Sequence, residues 1–138
     1  MCGPILLLYF FSQAPNAGPQ KTTLCEIIRN PQAFTDKVVQ LRAVVESGVE
    51  DLPAGLADDT CGAELKFLTP DDEHFGRLLK SKSFRKLIKD VKRNPLVEAT
   101  VTGTVRRTVI DQKEESGLAL DSVENVVVKP LPKLPRDR

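Results

Sequence analysis

The chain has 138 residues, of which 41% are hydrophobic and 28% are charged, and its formal net charge is +1. This length and composition are typical of one globular domain, and a charge so near zero gives no global attraction to nucleic acid or membranes. The charges are nevertheless segregated along the chain. Residues 46–73 hold nine acidic residues and one basic residue, whereas residues 77–93 hold eight basic residues and one acidic residue.

The first twenty residues have the pattern of an export signal. Residues 5–11 form an unbroken apolar run. A membrane-spanning helix needs roughly 20 apolar residues, so this run is too short to span a membrane, but it suits a signal-peptide core. Small and polar residues follow, with Ala14 and Ala17 as candidate cleavage ends. We therefore expect residues 1–20 to be a signal peptide and the protein to be exported, either to the periplasm or by secretion. The alternative is an N-terminal strand of the domain.

Three cysteines are present, and Cys2 lies in the expected signal peptide. The remaining Cys25 and Cys61 form an even pair, which an oxidising compartment joins as a disulfide. We expect that bridge, with two buried free thiols as the alternative. Two isolated cysteines without a neighbouring histidine do not favour a metal site, and none is expected.

The first half of the domain is predicted to contain one helix and three strands. Thr23 and Glu26 fit a capping box that begins a short helix, and Pro31 ends it after Asn30. Residues 37–47 alternate in a strand pattern that is covered on one side and half covered on the other. One face consists of Val39, Leu41, Ala43 and Val45, and the other of Val38, Gln40, Arg42 and Val44. A turn at residues 48–53 and short strands at residues 56–59 and 63–68 follow.

A helical segment comes next, with Thr69 as its predicted cap and Pro70 at its first position. Phe75 and Phe84 each begin an apolar stripe, and the two stripes would lie on opposite faces of one straight helix. Such a helix cannot bury both stripes against one surface, so we expect a break at residues 81–83. A strand is predicted at residues 96–108, with a bend or bulge at Gly103 and with one covered face that consists of Val97, Ala99, Val101, Gly103 and Val105. A last strand is predicted at residues 118–128, with a bulge at residues 122–125. Residues 111–117 are predicted to be a polar loop.

Five strands with a helical segment between the third and fourth is the element order of the OB fold. The predicted fold class is therefore mainly β: an OB-like five-stranded barrel with a leading helix, spanning residues 21–128. An open α+β sheet is the alternative. Residues 129–138 alternate proline with basic residues and are predicted to be a disordered tail.

Four segments also carry a resemblance: TLCEIIRNPQAFTDKVVQLRAVVESG, LADDTCG, VTGTV and LALDSVENVVV. They resemble small exported bacterial proteins of uncharacterised function that are predicted to form OB-like barrels. The chain departs from that pattern at Phe34, Asp36 and Ala43. The resemblance implies the fold and the compartment, and it implies no catalytic residue or ligand.

No constellation in the sequence predicts an enzyme. The only histidine, His74, stands in the acidic start of a predicted helix, where an exposed helix residue is expected. There is no glycine-flanked serine elbow and no phosphate-binding loop. Adjacent acids such as Asp58 and Asp59 lack the alternate spacing of a calcium loop. We therefore expect a protein that is not an enzyme and uses no cofactor or metal.

The expected function is an exported OB-fold binding or adaptor module, with a protein or glycan as the favoured partner and no assigned ligand or oligomeric state. OB domains usually bind ligands over the second and third strands, between two loops. Seven residues are expected on that face here: Glu50, Asp51, Leu65, Phe67, Arg106, Arg107 and Lys113. Binding of single-stranded nucleic acid needs aromatic side chains and clustered Lys and Arg residues on that face, whereas here the region is acidic and Phe67 is its only aromatic residue. We therefore do not expect a nucleic-acid partner, and a cytoplasmic oligonucleotide-binding domain is the alternative function.

A basic patch is predicted on the helical segment. Its residues are Arg85, Lys86, Lys89 and Arg93. A solvated helix face explains this run, and a docking site for an acidic protein, an anionic lipid or a polyanion is the alternative.

Overall fold

A computed structural model describes residues 18–131, apart from the side chain of Ile110. Nearly all of the expected signal peptide and residues 132–138 of the expected tail therefore lie outside the described residues. The strands are β1 (Gln20–Lys21), β2 (Val38–Ser47), β3 (Pro53–Asp58), β4 (Ala63–Phe67), β5 (Val97–Ile110) and β6 (Lys113–Val128). The helices are α1 (Leu24–Arg29), α2 (Asp72–Leu79) and α3 (Lys82–Arg93), and short 3-10 turns lie at Pro31–Ala33 and Val49–Asp51.

The protein is mainly β, and its six described strands belong to one sheet in the order β1-β2-β3-β4-β6-β5. Strand β2 also pairs with β5, so β2 to β6 form a closed ring of five strands. Neighbouring ring strands are antiparallel except β4 and β6, which pair in parallel at Lys66↔Gly117 and Phe67↔Leu118. Strand β1 runs parallel to the start of β2.

The interior of the ring is filled by apolar side chains that alternate along each strand. On β2, Leu41 and Ala43 are buried and pair with Val101 and Ala99 of β5, whereas Val38 faces outward and is 44% exposed. The inner face expected for residues 97–105 is confirmed, because Val97, Ala99, Val101 and Val105 are fully buried. This period of two is what a sheet with one covered face requires.

The predicted polar loop at residues 111–117 is wrong. Strand β5 continues to Ile110 and β6 begins at Lys113, so only Asp111 and Gln112 form the turn. Both have positive φ, 51° and 67°, as two-residue hairpin turns require. Val105 still exchanges backbone hydrogen bonds with the segment before β2, but beyond it the residues of β5 pair only with β6. Polar residues are accommodated there because they face solvent.

The leading helix α1 is anchored by its cap, its apolar side and a disulfide. The Glu26 N–H donates to Thr23 Oγ1 at 3.2 Å, which confirms the predicted cap, while the Glu26 carboxylate accepts from the Thr22 hydroxyl at 2.9 Å. Leu24 and Ile27 are buried in the core. Cys25 and Cys61 are bridged, with Cα atoms 6.0 Å apart, so the expected pairing is confirmed. The bridge holds α1 beside the β3–β4 turn.

The helical segment is broken where the two apolar stripes predict a break. Ser81 begins α3, because its hydroxyl accepts from the Phe84 N–H at 3.3 Å. The Phe75 and Phe84 rings then meet edge-to-face, with centroids 6.2 Å apart. The predicted cap of α2 is wrong by two residues: Asp71, not Thr69, accepts from the His74 N–H at 2.7 Å. Asp71 is itself an effective cap, and its position leaves Pro70 before the helix.

Helices α1 and α3 lie at opposite ends of β3. Helix α1 adjoins the turn that follows β3, whereas α3 contacts the 3-10 turn that precedes β3. No helix within residues 18–131 has the length and hydrophobicity needed to cross a bilayer. The first residue of the expected tail is paired with the sheet, because the Lys129 N–H donates to the Leu96 carbonyl at 2.9 Å.

Candidate binding cleft

A cleft of about 500 Å³ opens between the α2–α3 pair and the strands β3, β4 and β6. Its volume lies within the range of protein ligand sites, roughly 300–1,000 Å³. Four separate parts of the chain line it: the β2–β3 turn, the end of β4 with the segment after it, the two helices, and the middle of β6. The apolar lining consists of Leu52, Pro53, Ala54, Phe67, Leu68, Pro70, Phe75, Leu78, Phe84, Ile88, Ala119 and Leu120.

The cleft is where the apolar core reaches solvent. Phe67, Phe75 and Ile88 are only partly buried and pack against the core from this side. Leu52, at the rim, is 41% exposed. Contiguous apolar surface in a concave site is a mark of a binding surface, whereas isolated exposed apolar residues are ordinary.

His74 contributes polar atoms to the cleft, but both ring nitrogens already have partners. Arg77 can only donate, so the His74 Nδ1 accepts from its Nη2 at 3.2 Å. The Nε2 therefore carries the hydrogen and donates to the Leu120 carbonyl at 2.5 Å. The expectation of an exposed helix residue is wrong, since the side chain is 25% exposed. This hydrogen bond attaches α2 to β6 at Leu120, two residues after the last residue of β6 that pairs with β4.

The expected ligand face is divided between different places. Phe67 lines the cleft. Leu65 is 1% exposed, because it pairs with Leu56 and both side chains point into the ring, so it is not on any outer surface. Glu50 and Asp51 are exposed in the turn that leads to Leu52 at the cleft rim.

The other three residues of that face lie on the β5–β6 hairpin, outside the cleft lining. Arg106 pairs with Asp36 at 3.3 Å. Arg107 pairs with Glu114 at 3.3 Å and borders a second hollow of about 320 Å³ between α1 and the hairpin. Lys113 is exposed at the start of β6. The structure therefore does not bring the seven residues together.

The predicted basic patch lies on the solvent side of α3, where Arg85, Lys86, Lys89 and Arg93 are exposed. Lys86 forms an ion pair with Asp90 one turn along. The Arg85 guanidinium donates to the Leu79 carbonyl at 2.8 Å, which ties α3 to the end of α2. Among the described residues, Lys89 and Arg93 have no acidic partner within 4.0 Å.

One further cluster contains potential metal ligands. The two sulfurs of Cys25 and Cys61 and a carboxylate oxygen of Asp58 lie within 4.8 Å of one another. The sulfurs are bonded to each other, and a metal binds the thiolate form of cysteine. With the disulfide formed, this cluster offers one carboxylate and is not a metal centre.

No protein-family model, curated protein or solved structure matched the chain. The functional argument therefore depends on the geometry of the cleft and on the charges around it.

Proposed function

We propose that this protein is an exported, non-enzymatic OB-type module that binds another protein through the cleft between α2–α3 and the strand ring. The observation that carries this proposal is the concentration of partly exposed apolar side chains in one concave site: Leu52, Phe67, Phe75 and Ile88. Aromatic and aliphatic side chains that line a pocket are the usual anchors of protein–protein recognition.

The OB assignment is supported by the connectivity of the ring. When the five ring strands β2 to β6 are numbered 1 to 5 in chain order, their order around the ring is 1-2-3-5-4, and strand 4 closes back on strand 1. The helical segment lies between the third and fourth of these strands. Five strands in a closed or partly open barrel are the defining architecture of that fold. The proposal retains the resemblance to small exported bacterial proteins with OB-like barrels.

Export is supported by two independent features. The apolar run at residues 5–11 has the length of a signal-peptide core. The Cys25–Cys61 bridge is the kind of bond that persists in oxidising compartments and is rare in the cytosol.

A protein partner fits the cleft better than a glycan or an oligonucleotide. The polar residues of the lining are Thr69, Asp72 and His74, and the His74 nitrogens are engaged, so few groups remain to recognise sugar hydroxyls. Single strands bind to OB domains by stacking on aromatic residues. The one aromatic of β3 and β4, Phe67, faces the cleft, and Glu46 and Glu64 border the outer surface beside it.

A binding role rather than catalysis is supported by the hydrogen bonds of His74, the histidine at the cleft. A general base needs an available atom within reach of a substrate proton. One ring nitrogen of His74 accepts from Arg77 and the other donates to the Leu120 carbonyl, so neither is available to take a substrate proton.

The test is selection of random twelve-residue peptides displayed on phage against the full-length mature protein. We expect peptides rich in apolar residues whose affinity falls at least about tenfold in Ile88→Lys, a loss of roughly 1.4 kcal/mol. The matched control is Ile28→Lys, which places the same charge on α1 at a residue that is 39% exposed. Circular dichroism checks that both variants are folded.

Two outcomes would overturn the proposal. One is that selected peptides bind Ile88→Lys and wild type equally. The other is submicromolar binding of a labelled oligodeoxythymidine at physiological salt, which would restore the oligonucleotide alternative, because nonspecific binding has dissociation constants of roughly 1–100 μM.

A further inference from the structure

The solvent side of α3 is uniformly basic. Phe84, Leu87 and Val91 bury one side of this helix in the core. On the opposite side, six basic side chains are exposed: Lys82, Arg85, Lys86, Lys89, Lys92 and Arg93. Because an α-helix turns by about 100° per residue, these six positions fall within an arc of about 120°. We call them the basic face of α3. It includes the four residues of the predicted basic patch.

The acidic residues of α3 and of the turn beside it do not balance the basic face. Asp90, the acidic residue of α3, pairs with Lys86 and is 15% exposed. Glu50 and Asp51 lie on the 3-10 turn that contacts α3. The six bases outnumber these three acids, so this side of the helix keeps a net positive charge.

The basic face also weakens the helix that carries it. Lys89 has Lys86 and Arg85 three and four positions before it, and Lys92 and Arg93 three and four positions after it. Like charges at these spacings are neighbours on a helix surface and destabilise the helix. Helix α3 forms because its other side is buried in the core. An anionic surface placed against the basic face would relieve this repulsion.

Clustering, and not the lack of ion-pair partners, distinguishes the basic face. Lys21, Lys37 and Lys113 are also exposed, and none of them forms an ion pair within 4.0 Å in the part of the chain that the structure describes. They lie apart, on β1, before β2 and at the start of β6. The bases of α3 instead share one helix face about 17 Å long, so they can act together on one partner.

The composition of the basic face favours one kind of partner. Four of its six residues are lysines, and no aromatic or apolar residue interrupts it. Protein interfaces are depleted in lysine and have an apolar centre, and single-stranded nucleic acid stacks on aromatic side chains. A surface of lipid phosphates needs neither feature, because clusters of about four to eight Lys and Arg residues bind it through charge.

We infer that the basic face of α3 binds the surface of a membrane rich in anionic phospholipids. Its six bases contact lipid phosphates while the apolar side of α3 stays in the core, so the helix lies on the bilayer and does not enter it. The export proposed above would bring the protein to such a surface. None of the six bases lines the cleft, so this inference does not depend on the proposed protein-binding function.

The test is cosedimentation of the full-length mature protein with phospholipid vesicles. One set contains about 30% phosphatidylglycerol in phosphatidylcholine, and the other contains phosphatidylcholine alone. At about 0.1 M salt, wild type should bind the anionic vesicles at least about tenfold more tightly than the neutral ones. At about 1 M salt this preference should disappear, because the Debye length falls from about 10 Å to about 3 Å.

A triple variant tests the basic face itself. The combination of Lys82→Gln, Lys89→Gln and Lys92→Gln removes three positive charges, and glutamine has nearly the helix propensity of lysine. It leaves the ion pair of α3 and the hydrogen bond from Arg85 to α2 unchanged. Binding to the anionic vesicles should fall at least about tenfold.

The matched control removes the same charge from the scattered lysines. The combination of Lys21→Gln, Lys37→Gln and Lys113→Gln should bind the anionic vesicles within about threefold of wild type, because exposed charges more than a Debye length from the bilayer are screened. Circular dichroism checks that both triple variants are folded.

Three results would overturn the inference. The first is equal binding of wild type to anionic and neutral vesicles, and the second is an equal loss of binding in the two triple variants. The third is a labelled oligodeoxythymidine that binds the basic face more tightly than anionic vesicles do at the same phosphate concentration. That result would assign the basic face to nucleic acid.

Discussion

At the residue scale, Gly103 shows how closely β5 and β6 approach in the ring. A Cβ atom at this position would lie 2.5 Å from the Ala119 carbonyl oxygen and 3.0 Å from Leu118 Cγ. The pairing register of the two strands also shifts between Thr102 and Gly103. The bend or bulge predicted at this glycine is therefore confirmed. A side chain has no room here, because the nearest atom belongs to the backbone and cannot rotate away.

Gly103→Ala should consequently lower the free energy of unfolding by about 2 kcal/mol, as overpacking does in a tight core. The matched control is Gly76→Ala in α2, where a Cβ would meet no atom within 4 Å. That variant should raise stability by about 0.5–1 kcal/mol, because alanine loses less conformational freedom in a helix. Urea denaturation measures both. Equal stability of Gly103→Ala and wild type would contradict the close approach.

At the element scale, α1 depends on its attachments. Six residues are too few for an isolated helix to be stable in water. Its position comes from the Thr23 cap, from the burial of Leu24 and Ile27, and from the bridge to Cys61 across a sequence separation of 36. The bridge constrains the unfolded chain as well as the folded helix.

The double variant Cys25→Ser and Cys61→Ser should lose about 4 kcal/mol of stability, the value of the chain-entropy model for a loop of this length. Denaturation with and without a reducing agent checks it. Reduction should weaken wild type by the same amount and leave the double variant unchanged. Ile88-dependent peptide binding should survive, because α1 and the cleft lie at opposite ends of β3. A wild type insensitive to reduction would exclude a stabilising bridge.

At the scale of the whole molecule, β1 limits where the chain can be shortened. Gln20 pairs with Val39 and Lys21 with Gln40, so the sheet includes a residue that precedes the expected domain start at residue 21. Both candidate cleavage ends, Ala14 and Ala17, precede this strand. Export processing at either position leaves the sheet complete.

The mature protein from its native host should therefore lack residues 1–14 or 1–17 and should retain Gln20. Intact-mass spectrometry of the cell fractions measures this. A cytoplasmic protein that keeps Met1 would contradict export, and a mature chain that begins after Lys21 would show that β1 is dispensable.

The sequence by itself determined the local elements and the pairing of two cysteines. The alternation at residues 97–105 identified the buried face of β5. Phe75 and Phe84 on opposite helix faces required a break, expected at residues 81–83 and found at Lys80 and Ser81. These features could be predicted because they depend on periodicity and capping within a few residues of chain. Cys25 and Cys61 could be paired by counting, once Cys2 was assigned to the signal peptide.

Only the tertiary structure decided which elements meet. Periodicity shows that one side of an element is covered, but not by what. The polar residues 113–117 became a strand because β5 pairs with them, and His74 became half-buried because the Leu120 carbonyl lies beside it. The cleft is lined by residues as distant in sequence as Leu52 and Leu120. A local sequence pattern cannot predict that these residues are neighbours, because they become neighbours only when the strand ring closes.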